Sequence, residues 1–297
     1  MQESTGIIDV HTHYYPPSVV TDPVGWATTV GEKHWQQLVA PVGKPSLQGW
    51  ANETQMLQQM REAGIVKAVL QGWYWEHAAS CALQNRWYAD LINRYPENLI
   101  AFATVHPPSE KETEEQLQFA LDHGFKGIGE IHPAVQGFTL RDRCWIPVVE
   151  FAVEHGFPIT LHVTEPIGRP QHPQAETNLR DIQWLVEEYP DLRLILAHWG
   201  GLSFLHELNL YIAKRWRNVY YDTSASPLLY GNQVFRIAMD AIGPDKFLFG
   251  SDYPLRLYPK RQKEPDFATF ISEIRKSVEN TEHLGQLFRR NAETLLK

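Results

Sequence analysis

The strongest constraint on the fold is a rhythm. Short apolar runs, each followed by a helical stretch, recur along the 297 residues. Their spacing is roughly thirty residues, the length of one strand–helix unit. The runs begin at Ile7, Ile65, Leu99, Phe125, Pro158, Leu192, Val219 and Phe247. They are apolar on both faces and bounded by glycine or proline, as buried parallel strands are. A helix–glycine–strand joint recurs at Gly64, Gly124 and Gly156, and a helix–Tyr–Pro–strand joint at Tyr95-Pro96 and Tyr189-Pro190. Eight such units predict an α/β fold, a closed (β/α)8 TIM barrel in one domain over residues 1–297, rather than an open doubly wound sheet. No glycine-rich phosphate fingerprint follows any run, which argues against a dinucleotide site.

One stretch breaks the rhythm. Residues 14–51 show no clean period and carry Pro16, Pro17, Pro23, Pro41 and Pro45 among Trp26, Trp35 and Trp50. So aromatic a segment is expected to be ordered, and it reads as a loop insertion, a flap over the first strand's exit. Beyond it, Asn52 is placed to cap a helix with Met56, Leu57, Met60 and Ala63 on its apolar side. Ser109-Glu110-Lys111-Glu112 reads as a capping box. Helices are expected over 78–94, 141–154, 175–189, 203–216 and 233–241, with extra C-terminal ones over 267–278 and 282–296.

Composition removes several functions. The chain is 43% hydrophobic and 21% charged, enough apolar content for a large core. A net charge of −8 with no long basic run disfavours nucleic acid as the main ligand. No apolar stretch reaches membrane-spanning length, and residues 1–6 are too short and polar for a signal peptide. Cys81 and Cys144 make no disulfide framework; they are expected as free thiols in helices, suited to a reducing cytoplasm.

The chemistry sits where the runs end. Ile7-Ile8-Asp9-Val10 climbs to His11 and His13, which share one face of a strand about 7 Å apart along the backbone. Glu130 and His132 stand at the exit of strand four, His162 of strand five, His198 of strand six and Asp252 of strand eight. A barrel gathers its loops at those C-terminal ends. Imidazole and carboxylate are ligands for zinc and related divalent ions, and a buried strand end is costly for an unpaired charge. Duller readings compete: a hydrogen-bonded core pair for His11 and His13, an ion pair for Glu130, satisfied lone histidines for His162 and His198, an N-cap for Asp252. His106 and His132 suit loop capping before proline as well as substrate contact, whereas His123 and His155, in last helical turns before glycine, read as structural.

The segments Asp9-Val10-His11-Thr12-His13, Leu196-Ala197-His198-Trp199-Gly200-Gly201 and Phe249-Gly250-Ser251-Asp252-Tyr253-Pro254 resemble the amidohydrolase superfamily, in its family 2 branch. The match spans nearly the whole chain. The resemblance implies a (β/α)8 barrel with a divalent metal, most often zinc, with manganese an alternative. It implies an enzyme acting on small molecules as a hydrolase, lactonase, hydratase or nonoxidative decarboxylase, and often a homodimer. Decarboxylase-like members resemble a one-metal site, here His11, His13, His162 and Asp252 with His198 as acid/base. Two-metal members place a carboxylated lysine or a glutamate at strand four; this chain has Glu130 there, so that His162 and His198 would hold the second ion, and one ion or two stays open.

The leading expectation is a metal-dependent hydrolase of a small ester, lactone or amide. Water activated by the ion attacks, and Asp252 takes the proton and passes it to the leaving group, with His198 or the metal polarising the carbonyl. The alternative is a nonoxidative decarboxylase of a small aromatic or unsaturated acid. It needs a cation for the carboxylate, for which Arg169 and Arg256 are candidates. His132, Arg169, Trp73 and Tyr14 are the expected substrate contacts, Trp26, Trp75 and Trp199 lie on neighbouring exit loops, and no nucleic-acid or membrane partner is expected. A third possibility is a barrel that only binds a ligand.

Overall fold

The computed structural model describes residues 6–165, 167–168 and 177–297. Eight strands follow the expected order: β1 (Ile7–Thr12), β2 (Ile65–Leu70), β3 (Leu99–Ala101), β4 (Ile128–Ile131), β5 (Ile159–Leu161), β6 (Leu194–Leu196), β7 (Val219–Asp222) and β8 (Phe247–Leu248). They form two parallel ladders, β1-β2-β3 and β4-β5-β6-β7-β8. Hydrogen bonds just past the strand ends join the two. Ala103 N–H donates to Gly127 O and its carbonyl accepts from Gly129 N–H, each at 2.9 Å, linking β3 to β4. Val10 N–H donates to Phe249 O at 2.8 Å and Asp252 N–H to His11 O at 2.8 Å, linking β8 to β1. The strand order and these joining bonds are those of the expected (β/α)8 barrel. Among the described residues no helix is long and apolar enough to cross a membrane.

Ladder irregularities fall at the positions that matter. The β1 register shifts between Asp9 and Thr12, around His11, and the β4 register shifts between Ile128 and Ile131, around Glu130. Such bulges re-aim a side chain at a barrel rim. Gly250 sits against the first of them: a Cβ there would meet His11 Cβ at 2.8 Å, so no larger residue lets the loop after β8 close on β1.

The outer helices confirm some local signals and overturn others. Helix Glu53–Ala63 begins at a reciprocal cap, Asn52 Oδ1 accepting from Gln55 N–H and Gln55 Oε1 from Asn52 N–H, both at 2.9 Å. Helix Ala78–Arg94 has the expected bounds. Helix Glu110–Asp122, by contrast, has no side-chain cap, because the Ser109 hydroxyl pairs with His106 Nδ1 at 3.0 Å. The helix expected from residue 141 starts at Ile146. The one expected over 203–216 is a 3-10 stretch, His198–Leu208, running into a helix over Leu210–Arg215. His198, Trp199, Gly200, Gly201 and Leu202 there take left-handed backbone, which periodicity cannot foresee. Cys81 is buried in its helix, and Cys144 is half-buried in the turn before Ile146 rather than in a helix.

The flap is ordered, as expected, and it is also helical: Pro17–Val20, Pro23–Val30 and Lys33–Val39. Its Tyr15, Trp35 and Val39 are buried together with Trp75 of the loop after β2 and Cys81 of helix Ala78–Arg94, and Trp26 and Trp50 pack against them. Gln48 bridges Leu255, and Arg256 hydrogen-bonds the Ser46 carbonyl, so the flap is tied to the loop after β8.

Candidate metal centre

Six side chains from five strand exits converge. His11 Nε2 and His13 Nε2 lie 3.3 Å apart, and Asp252 Oδ1 is 4.0 Å from the first and 3.4 Å from the second. Opposite them, Glu130 Oε1 is 2.7 Å from His162 Nδ1 and 3.4 Å from His198 Nε2, and the two imidazole nitrogens are 3.2 Å apart. These are two compact donor triads, His11–His13–Asp252 and Glu130–His162–His198. Glu130 belongs to both: its other oxygen, Oε2, is 3.6 Å from His11 Nε2 and 3.9 Å from His13 Nε2. His11, His13, Glu130, His198 and Asp252 are all buried; the His162 side chain, 18% exposed, is the most open of the six.

Proton positions follow from the partners. His11 Nδ1 is 2.8 Å from Asp222 Oδ2 and His13 Nδ1 is 3.1 Å from the Gln71 carbonyl. His198 Nδ1 is 3.1 Å from the Ser224 carbonyl. A carboxylate or a carbonyl only accepts, so each Nδ1 carries the proton and each Nε2 faces inward as a lone pair. In those tautomers the lone pairs of three imidazoles and two carboxylates face one another, with His162 Nδ1 placed to donate to Glu130 among them. Added protons or a metal cation satisfy that arrangement, and its oxygen and nitrogen donors suit a divalent ion.

The electrostatics agree. Burial works against charge at Glu130, but His162 and His11 outweigh it and hold its carboxyl well below the usual range. At Asp252 burial is outweighed by the hydrogen bond from His13 and by His11 and His198, which lower its pKa. Burial also opposes charge on His11, yet Asp222 and Glu130 carry its proton affinity well above the ordinary value. His198 is pushed up to about 9: burial opposes the shift and Glu130 drives it. Without a metal, protons therefore collect on these histidines, and an ion must displace them.

Two ligand candidates are held in backbone that few side chains adopt: His198 at φ +57° and Asp252 at φ +67°. His198 is anchored by its N–H on Asp222 Oδ1 at 3.0 Å, Asp252 by its N–H on His11 O. Asp9, wholly buried, accepts from His11 N–H at 3.0 Å and Ser251 N–H at 3.1 Å, tying β1 to the loop after β8. Burial pushes its carboxyl up to about 7. Asp9, Gln71, Asp222 and Ser224 had no place in the sequence-based site. Asp222 carried the signal, an acid at a strand exit; Gln71 acts through its backbone, which no side-chain pattern reveals.

The remaining expected residues divide. Trp73, after β2, sets its ring edge-on to His13, with centroids 5.3 Å apart. It stacks on Tyr74, which in turn lies 5.0 Å from His132 and 5.1 Å from His162, so the two aromatics wall both triads. His132 stacks on His162 at 4.6 Å, and its buried Nδ1 has no hydrogen-bond partner among the described residues. Tyr14 is a correction. It follows His13 and so points to the other side, into an outer groove with Glu53, Trp87 and Arg94. Arg256 donates from Nη2 to the flap carbonyl of Ser46, while its buried Nε has no partner among the described residues, and Arg169 lies outside those residues. His106 is a loop partner of Ser109, and His123 Nδ1 donates to Phe119 O at 2.8 Å, the structural role expected of it.

Comparison with known proteins agrees on the architecture. The 2,6-dihydroxybenzoate decarboxylase from Rhizobium is 17% identical, with 98% of each chain covered and a TM-score of 0.68. The 5-carboxyvanillate decarboxylase from Sphingomonas paucimobilis is 15% identical, with 98% of each chain covered and a TM-score of 0.70. That of Novosphingobium aromaticivorans, complexed with manganese, is 17% identical, covering 100% of this chain and 97% of its own, with a TM-score of 0.70. At such identities the likeness is one of fold. No curated protein matches in sequence. The amidohydrolase family model of the family 2 branch matches residues 8–297, nearly the whole chain, and this chain therefore belongs to that family, an enzyme of the amidohydrolase superfamily.

Proposed function

We propose that this chain is a two-metal hydrolase of a small ester, lactone or amide. One observation carries the reading: Glu130 offers one oxygen to each triad, Oε2 toward His11 and His13 and Oε1 toward His162 and His198. A carboxylate shared in this way suits two neighbouring divalent ions, zinc or manganese by the donor set. His11, His13 and Asp252 would hold one, His162 and His198 the other, and Glu130 both.

When bound, such ions supply Lewis-acid polarisation of the carbonyl and make water easier to deprotonate. The chain's own residues do the rest. Asp252, kept ionised by its histidine neighbours, is the base that receives the proton of the attacking water and returns it to the leaving group. His198 is held at both ring nitrogens, by Ser224 on one side and Glu130 and His162 on the other, which supports a ligand more than a mobile acid. The substrate enters beside His162, the most open of the six, and packs against Tyr74 and Trp73.

Nonoxidative decarboxylation is the second reading. The activities named for the solved relatives favour it, and do so more directly than they favour hydrolysis. The aromatic wall suits a flat acid. Against it, Arg256 donates to the Ser46 carbonyl of the flap. The test is a substrate panel on metal-loaded enzyme with CO₂ detection. Turnover of an ester, lactone or amide with two ions per chain supports the first reading. CO₂ release from an aromatic acid with no hydrolysis transfers the assignment to the second.

A further inference from the structure

Asp222, the last residue of β7, is wholly buried and lies between the two triads. Its Oδ2 accepts from His11 Nδ1 at 2.8 Å. Its Oδ1 accepts three donors: His198 N–H at 3.0 Å, Ser224 N–H at 2.9 Å, and the Ser224 hydroxyl. That same hydroxyl lies 2.9 Å from His198 Nδ1. One oxygen thus sets the tautomer of a histidine in the first triad. The other fixes the left-handed backbone and, through Ser224, the ring of a histidine in the second.

We infer that Asp222 is a positioning residue common to both metal subsites, holding His11 in its Nδ1–H form and His198 in place, so that the two affinities are set by one carboxylate. The count of two ions rests on the reading above; the hold on His11 does not.

An asparagine at 222 separates the two functions. Its side chain has one accepting oxygen and one donating NH₂. Turning the NH₂ toward the Oδ1 position faces it against two backbone N–H groups that cannot rotate away. Turning it toward His11 faces one ring N–H, and His11 escapes by moving its proton to Nε2. The second arrangement leaves fewer donors opposed, so the NH₂ points at His11, and the ring then presents N–H where the ion needs a lone pair. Asp222→Asn therefore weakens the His11–His13–Asp252 subsite and leaves the other near its original strength. Asp222→Ala, which removes both oxygens, weakens both.

The test is a Co²⁺ titration of metal-free protein, followed by its visible absorption. Wild type is expected to take two ions; Asp222→Asn should lose about ten- to a hundredfold affinity in one step, and Asp222→Ala in both. Histidine ¹⁵N resonances of metal-free protein, recorded at a pH where the imidazoles are neutral, read the tautomer directly: His11 is protonated at Nδ1 in wild type and at Nε2 in Asp222→Asn. Should Asp222→Ala not fold, the near-isosteric asparagine variant decides alone. Wild-type affinity in both steps, or Nδ1 still protonated in Asp222→Asn, overturns the assignment. A single Co²⁺ in wild type overturns the two-ion reading instead, and Asp222 then stands or falls on whether the asparagine variant weakens that one ion.

Discussion

The flap and the metal centre are neighbours at the same end of the barrel, held together by opposite physics. At the flap, Tyr15, Trp26, Trp35 and Trp50 pack ring against ring with one another and with Trp75 of the loop after β2, with centroids 5.2 to 6.4 Å apart. That stabilisation is apolar area, shared among many atoms and indifferent to small changes of direction. In the centre, six polar side chains meet behind the Trp73 and Tyr74 wall, and the outcome depends on which nitrogen holds a proton. The first region should lose stability in proportion to volume removed, the second should lose function to changes of a single atom while its fold persists.

The comparison can be broken most sharply at Asp252. Replacing it by asparagine removes the proposed base and a ligand, and turnover should fall by about 10²- to 10⁴-fold. Metal-free protein should melt at a modestly lower temperature with its fold intact, because the protonated histidines that lower the Asp252 pKa lose their partner. A large drop in melting temperature would show the centre to be structural after all. Trp35→Ala is the reverse case. Trp35 is 1% exposed and its ring N–H donates to Tyr15 at 3.1 Å, so urea unfolding should show a loss of about 3–5 kcal/mol, with metal content unchanged.

Acidity should separate the regions next. His198 holds a proton up to a pKa of about 9 in the absence of metal, so an ion competes with that proton throughout the neutral range. Metal affinity should therefore rise as pH rises toward 9 and fall as pH drops, by about tenfold per unit for each proton displaced. Calorimetric titrations at pH 6 and pH 8 check this; a flat profile would remove the displaced proton. The smallest effect sits outside both regions. Asn52→Ala should cost about 1 kcal/mol through its reciprocal cap, and Ser109→Ala less, since that hydroxyl caps nothing; thermal unfolding ranks the two.

Much of this was legible in residue order. β2 and helix Ala78–Arg94 match their expected bounds, and all eight strands stand where the apolar runs begin or within a few residues of it. The six convergent donors were readable as well, because a parallel barrel turns the end of every strand to one mouth. Asp222 followed the same logic and was missed for want of a motif around it. Tyr14 misled because nearness to His13 in sequence is opposition across the strand. Ser109 misled because a hydroxyl has more than one local partner, and His106 outcompetes the helix end.

What the sequence determined by itself is the period: where strands and helices fall, and so which side chains ride the strand exits. Period is a local property, set by steric preference and by burial of alternate or every third-to-fourth residue. What only the tertiary structure decided is the sharing: Glu130 between two triads, Asp222 between two histidines, the flap between β1 and the loop after β8. Sharing is set by distances of a few ångströms between residues up to hundreds of positions apart, at strand ends where the ladder register shifts around His11 and Glu130. Those distances exist only once the ring has closed.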